Sequence, residues 1–267
     1  MTSPPDHHPR LIPVPKRLTV IPDPPRELWA IGSLPERAGV AIVGTRRATT
    51  YGRRVARSLG EAVGRWGWPV ISGLARGVDA ASHQGSVAVH AVGVAVLGSA
   101  VDVIYPAENR ELAAQLVATG GAIISEYPPG TPPAPFRFPA RNRLISGLSG
   151  AVIVVEAGVT GGALITARLA LEQGIEVMAV PGDIDRPSSM GCNLLIRDGA
   201  HPVLGPEDLL PTLEMILGPA PQPSTPPPLP EERSWDDLVA STPRPVSEVL
   251  ADAVRAQLDS TPHRKKD

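Results

Sequence analysis

VAIVGTRRATTYGRRVARSLGEAVGRW, residues 40–66, carries the pattern that decides the fold. Val40 to Val43 is an unbroken apolar run, as expected of a strand buried on both faces. Gly44 permits a tight turn, and Thr49 or Thr50 is placed to cap a helix. From Tyr51 to Trp66, residues Val55, Leu59, Val63 and Trp66 fall on one helical face. The unit is a strand, a tight turn and an amphipathic helix.

The same alternation continues toward the C-terminus. Further strands are expected at PVIS (69–72), VGVAVL (92–97), AIIS (122–125), AVIVVE (151–156) and EVMAV (176–180). Helix-length segments separate most of them, among them Ala163 to Gln173, which stops at Gly174. Such a chain predicts an α/β fold, an extended Rossmann-like doubly wound and mainly parallel sheet spanning residues 39–217. Residues 1–38 read as a Pro-rich N-terminal extension in which RELWAIGSL could dock on the main domain. Residues 218–231 read as a Pro-rich linker. Residues 232–260 read as a small helical segment with Ser247 as its N-cap, and 261–267 as a basic tail.

In an open parallel sheet, ligands bind beyond the carboxyl ends of the strands. Beyond the first expected strand, Gly44 to Arg76 holds seven arginines (46, 47, 53, 54, 57, 65 and 76) and one acid, Glu61. An arginine in the first turn of a helix opposes the helix dipole by about 0.3–1 kcal/mol. A bound phosphate would reverse that sign, so Arg46 and Arg47, in the turn itself, are assigned to an anion. Arg53, Arg54 and Arg57 fit a solvated helix face equally well. Beyond the second strand, SGLARGVDAASH places Ser72, Gly73, Arg76 and Gly77 in a short turn. Asp79 and His83 stand i, i+4 on one helix face. A metal or acid–base pair is one reading, but no third ligand lies nearby in sequence. The preferred reading has Asp79 orienting backbone and His83 hydrogen-bonded within a packed helix. Arg141, Asn142 and Arg143 are expected at the start of a short helix, with Arg137 adding charge. Gly161 and Gly162 lead into a helix carrying Thr166, a second glycine-rich cradle for phosphate.

Composition limits the chemistry. Formal net charge is −2, so nucleic-acid or phosphate binding must come from local charge. The single cysteine, Cys192, forms no intramolecular disulfide, and no cysteine cluster offers a metal site. Neither a cofactor nor a catalytic residue is expected. The N-terminal MTSPPDHHPR lacks a signal-peptide core, and no run approaches about 18–20 apolar residues, so a cytoplasmic protein without a membrane partner is expected. Aromatic residues are scarce. Phe136 and Phe138 flank Arg137, and a broad stacking platform is not expected.

The ordered set AIVGTRRATTYGRRVA, VISGLARGVDAASH, VLGSAVDVIYPAEN, ISEYPPGTPP, FPARNRLISGLS, GGALITARLALEQG, VPGDID and GCNLLIRDGA resembles the DprA/Smf DNA-processing protein family over about residues 26–210. The resemblance implies an extended Rossmann-like core, single-stranded DNA bound in a basic pocket, and a homodimer. It also implies loading of the RecA recombinase on incoming DNA in natural transformation, with no enzymatic activity. The phosphate-contacting turn of that family maps to Gly44-Thr45-Arg46, and its other elements to Ser72–Gly77, Arg141-Asn142-Arg143, and Gly161, Gly162 and Thr166. Departures are Thr45 for a usual Ser, Ser99-Ala100 for Cys-Gly, and Gly161 for Ser. Many members of that family carry an upstream helical domain, which is not expected here, and the C-terminal winged helix is expected in a shortened form.

Two other functions fit the superfold. A nucleotide hydrolase similar to the LOG-type phosphoribohydrolases would need an acid soon after its glycine-rich turn, whereas AGVTGGALITARLALE has none before Glu172. A nucleotide-binding sensor would use the same anion pocket, and that reading stays open.

Overall fold

A computed structural model describes residues 8–221. In chain order the elements begin with β1 (Arg10–Ile12), α1 (Lys16–Thr19), β2 (Leu28–Gly32), β3 (Gly39–Val43) and α2 (Thr50–Arg65). They continue with β4 (Val70–Ser72), α3 (Val78–Ala88), β5 (Gly93–Val96), α4 (Arg110–Ala118), β6 (Ala122–Ser125) and α5 (Arg137–Gly147). The last are β7 (Ser149–Val154), α6 (Gly162–Glu172), β8 (Glu176–Ala179), α7 (Met190–Arg197), β9 (His201–Pro202) and α8 (Pro206–Leu217).

The described strands form one sheet in the order β1-β2-β6-β5-β4-β3-β7-β8-β9. From β6 to β9 every pairing is parallel, with Ala41 of β3 opposite Ile71 of β4 and Val152 of β7. All six expected strands are present, which makes this the expected mainly parallel, Rossmann-like α/β sheet. β3 is first in sequence among the parallel strands. The chain moves to one side of it through β4, β5 and β6, then crosses to its other side at β7. The topological switch point therefore lies between β3 and β7, where open α/β sheets bind ligands.

The alternation of side chains divides the core into two layers. Ala41, Val43, Val152 and Val154 pack with α1, α5, α6 and α7 on one face. Val40, Ile42, Ala151 and Ile153 pack with α2, α3 and α8 on the other. The expected face of α2 is confirmed, with Leu59, Val63 and Trp66 buried and Val55 packed at its edge. Gly60 and Gly85 let α2 and α3 touch through their backbones. A Cβ on either would lie 2.2 Å from a carbonyl oxygen of the other helix.

The stretch read as an N-terminal extension differs from that reading. β2 pairs antiparallel with β6, Ala30 opposite Ile124, and β1 pairs antiparallel with β2. Leu28 and Ala30 are fully buried. The segment joins the sheet because its alternate residues fill the same layer as Ile124, even though prolines surround it. The expected helix at 232–260, the basic tail at 261–267 and most of the linker at 218–231 lie outside the described residues.

Candidate nucleic-acid interface

At the end of β3, the turn from Gly44 to Arg47 passes between α3 and the segment after β7. A Cβ on Gly44 would lie 2.5 Å from Val78 Cγ2 and 2.9 Å from the Glu156 carbonyl oxygen, so only glycine fits there. Thr45 N–H donates to that carbonyl at 2.7 Å, and the Thr45 carbonyl accepts from Val78 N–H at 3.3 Å. Thr45 Oγ1 accepts from Arg47 N–H at 3.2 Å. Gly77 (φ +79°) completes the brace, because a Cβ on it would sit 2.3 Å from the Thr45 oxygen. The turn is fixed before any ligand arrives.

The start of α2 is not open to an anion. Thr49 caps it, its Oγ1 accepting from Gly52 N–H at 3.0 Å. Glu156, 4 % exposed, places Oε2 against both Thr49 N–H and Thr49 Oγ1 at 3.0 Å. A carboxylate from beyond β7 thus supplies the negative charge that the helix dipole favours. Arg53 turns back onto the Ala48 carbonyl, and Arg57 pairs with Glu61. Arg46 and Arg47 precede the helix and face a cavity. Among the described residues neither takes part in a salt bridge.

The SGLARG turn is held from below. Ser72 Oγ donates to the Ile42 carbonyl at 2.7 Å, tying β4 to β3. Asp79 Oδ2 accepts from Gly73 N–H at 3.1 Å and Ala75 N–H at 3.4 Å, which is the backbone-orienting role expected of it. Burial pushes its pKa up, against the opposing charge of Arg141 and those two N–H groups. His83 is fully buried in α3, with the Ser72 backbone as the polar group against its ring. Burial lowers its pKa to about 3, so the ring is neutral.

The Arg-Asn-Arg element is not at a helix start. α5 begins at Arg137, because Pro139 falls in the first turn, where proline needs no partner for its missing N–H. The element therefore lies further along the helix, and its side chains diverge. Arg141 is buried, donating Nη1 to the carbonyls of Gly73 (2.8 Å) and Val96, and Nε to Asn142 Oδ1 (3.1 Å). Burial lowers its pKa to about 10, with Asp79 pulling the other way. Asn142 Nδ2 reaches the Gly162 carbonyl at 3.3 Å and ties α5 to α6. Arg143 points away, into a separate cavity, where Glu126 holds it at 2.6 Å through both oxygens and Asp23 at 2.9 Å.

α6 supplies what α2 does not. Its N-cap is Gly161, with no side-chain cap and no acid in the first turn, and a Cβ on Gly162 would meet nothing within 4 Å. Thr166 Oγ1 turns back to the Gly162 carbonyl at 3.4 Å. The first N–H groups of α6 are thus free of side-chain capping at the pocket edge.

These pieces enclose a cavity of about 620 Å³ at the switch point. Gly44, Thr45, Arg46, Arg47, Asp79, Arg141, Asn142, Gly161, Gly162 and Thr166 all line it. Gly73 and Arg76 line a smaller cavity alongside, which shares Arg46 and Arg141. Ser72, Gly77 and His83 support the frame without lining either cavity, and Arg143 lies elsewhere. Sequence reasoning missed Tyr105, whose only signal is its position beyond β5. Arg46 stacks over Phe138 at 4.8 Å, and Phe138 lies against Tyr105 at 5.5 Å. Arg137 stacks over Tyr127 at 4.6 Å and Phe136 at 5.5 Å. Of these aromatic residues, Tyr105 and Phe138 line the cavity. Among the described residues no helix is long and apolar enough to cross a membrane.

Fold and site together define a Rossmann-like protein with an arginine-lined cavity at its switch point. The family described as DNA recombination-mediator protein A matches residues 13–214, and the chain belongs to that family, the DprA/Smf proteins. Protein Smf of Escherichia coli is 43 % identical over 220 residues, which are 80 % of this chain and 58 % of that protein. DNA processing protein DprA of Bacillus subtilis is 43 % identical over 195 residues, 72 % of this chain and 65 % of that one. The chain thus spans about three fifths of the length of these relatives. The crystal structure of DprA from Streptococcus pneumoniae is similar at a TM-score of 0.69 and 38 % identity, over 74 % of this chain and 70 % of that one. DNA processing protein A of Helicobacter pylori, solved in work on its single-stranded DNA binding mode, has a TM-score of 0.70 and 29 % identity, over 78 % of this chain and 96 % of that one.

Proposed function

We propose that this chain binds single-stranded DNA in the switch-point cavity and serves DNA processing in transformation and recombination as a binder, not an enzyme. The observation that carries the reading is the convergence of Arg46, Arg47 and the uncapped start of α6 on one cavity. Two guanidinium groups without salt bridges and a helix start without a side-chain cap are the chemistry of phosphate recognition. The α2 start, blocked by Glu156, leaves α6 as the dipole that faces the ligand. Membership of the family and the single-stranded DNA binding of the Helicobacter pylori relative point to the same ligand. Protection of incoming strands, delivery to RecA, homodimer formation and a cytoplasmic location complete the proposal by family likeness.

Binding without hydrolysis is supported by the acids available. Among the described residues Asp79 is the one carboxylate lining the cavity, and its Oδ2 is engaged by two backbone N–H groups. The test is the affinity for a single-stranded oligonucleotide at 50 and 200 mM salt. With about two or three phosphates contacted, affinity falls roughly 7- to 18-fold over that range. Equal or tighter binding of a mononucleotide would favour a nucleotide sensor instead, and release of a free base would overturn the non-enzymatic reading.

A further inference from the structure

Two arginines that the sequence assigns to phosphate are already held by carboxylates, in two different ways. Arg143 and Glu126 form a sheltered pair, 12 % and 16 % exposed at the side chain. Arg76 and Glu108 form an open one, 61 % and 53 % exposed, at the rim of the small cavity beside the DNA pocket. Arg76 Nε meets Glu108 Oε1 at 2.9 Å, and Arg76 Nη2 meets Glu108 Oε2 at 2.7 Å. This two-point geometry is also the one in which arginine grips a phosphate. An exposed pair of this kind is worth little, so exchange of one anion for another costs little.

We infer that Glu108 is a specificity-determining residue that occupies the phosphate position of Arg76 until a strand leaving the main pocket displaces it. The inference rests on the single-stranded DNA reading above. Arg46 lines both cavities, so a backbone held at Arg46 is next to Arg76. A strand with phosphates on both sides of Arg46 can make the exchange. A lone anion in the main pocket cannot, and Glu108 then stays on Arg76. The rim thus discriminates a polymeric backbone from a small phosphate compound.

The experiment is a double-substitution cycle, Glu108→Gln and Arg76→Gln singly and together, with a single-stranded oligonucleotide at several salt concentrations. Both side chains are more than half exposed, so neither change threatens the fold. Glu108→Gln is expected to tighten binding by up to about 5-fold. It should also steepen the salt dependence by roughly 0.7 in log–log slope, as for one more phosphate neutralised. Arg76→Gln is expected to cost more in the Glu108→Gln background than in the unsubstituted chain. No gain, or gains that simply add, would overturn the inference, because Glu108 would then be a spectator or a distant repulsive charge. If the chain binds DNA through Arg46 but the cycle is additive, only this inference fails. If the unsubstituted chain binds no single-stranded DNA, the functional reading fails and takes the inference with it.

Discussion

Glu156 and Thr49, 107 residues apart, are joined by two hydrogen bonds of 3.0 Å to a single carboxylate oxygen at the start of α2. This contact answers the excess of positive charge in GTRRATTYGRR. The helix end that a phosphate could have occupied already has its anion. Arg46 and Arg47, on the cavity side, take part in no salt bridge among the described residues.

Removing that anion should loosen α2. Glu156→Ala leaves the Thr49 N–H without its acceptor and the helix dipole uncompensated. The expected loss is about 1–3 kcal/mol of stability in denaturant unfolding. Gly52→Ala should act through the same contact, because its Cβ would lie 2.0 Å from Glu156 Oε2. If both variants unfold at the same denaturant concentration as the unsubstituted chain, the cap is unimportant.

Arg141 is expected to be a keystone more than a contact. Arg141→Ala removes the partner of the Gly73 and Val96 carbonyls and leaves Asp79 without its compensating charge. Breaking a buried charge network of this kind costs about 3–5 kcal/mol. Unfolding by urea reads that loss directly. A variant with unchanged stability and weakened DNA binding would show that Arg141 acts on the ligand instead.

His83 should give stability a pH dependence. Its folded pKa of about 3 lies below an ordinary value of 6.5, so the unfolded chain binds the extra proton. Stability from this group is fully present above about pH 6.5 and is lost as pH falls toward 3. The slope is at most about 1.36 kcal/mol per pH unit in that window. Asp79, with its pKa raised, works in the opposite sense and loses stability as pH rises. Comparing urea unfolding of the unsubstituted chain and His83→Asn isolates the histidine, because the substitution should flatten the dependence between pH 6.5 and 3. Identical pH profiles would contradict the buried neutral imidazole.

What could be read in the sequence follows from what is local. The parallel strands are unbroken apolar runs, the turn residues Gly44 and Gly73 stand directly at the ends of β3 and β4, and Gly161 directly precedes α6. Ten of the assigned residues therefore meet in one cavity. β2 was hidden because LWAIG is short and set among prolines, and only its antiparallel partner β6 makes it a strand. The Arg-Asn-Arg element was misplaced because prolines 132, 133, 135 and 139 read as loop, although the last is tolerated in the first turn of α5. Pairings across the fold leave no local trace. Glu108 lies 32 residues from Arg76, and Glu126 lies 17 from Arg143. Sequence therefore counted as phosphate ligands two arginines that already hold carboxylates.

That division gives the most direct test of the central claim, that Arg46 and Arg47 in the switch-point cavity, and not Arg143, grip the strand. Single-stranded oligonucleotide affinity should be measured for Arg46→Ala, Arg47→Ala and Arg143→Ala at fixed low salt. Arg46→Ala and Arg47→Ala are each expected to weaken binding several-fold and to flatten the salt slope by about 0.7. Arg143→Ala should leave both unchanged while lowering stability through the orphaned Glu126. Equal loss in all three, or loss confined to Arg143→Ala, would contradict the account.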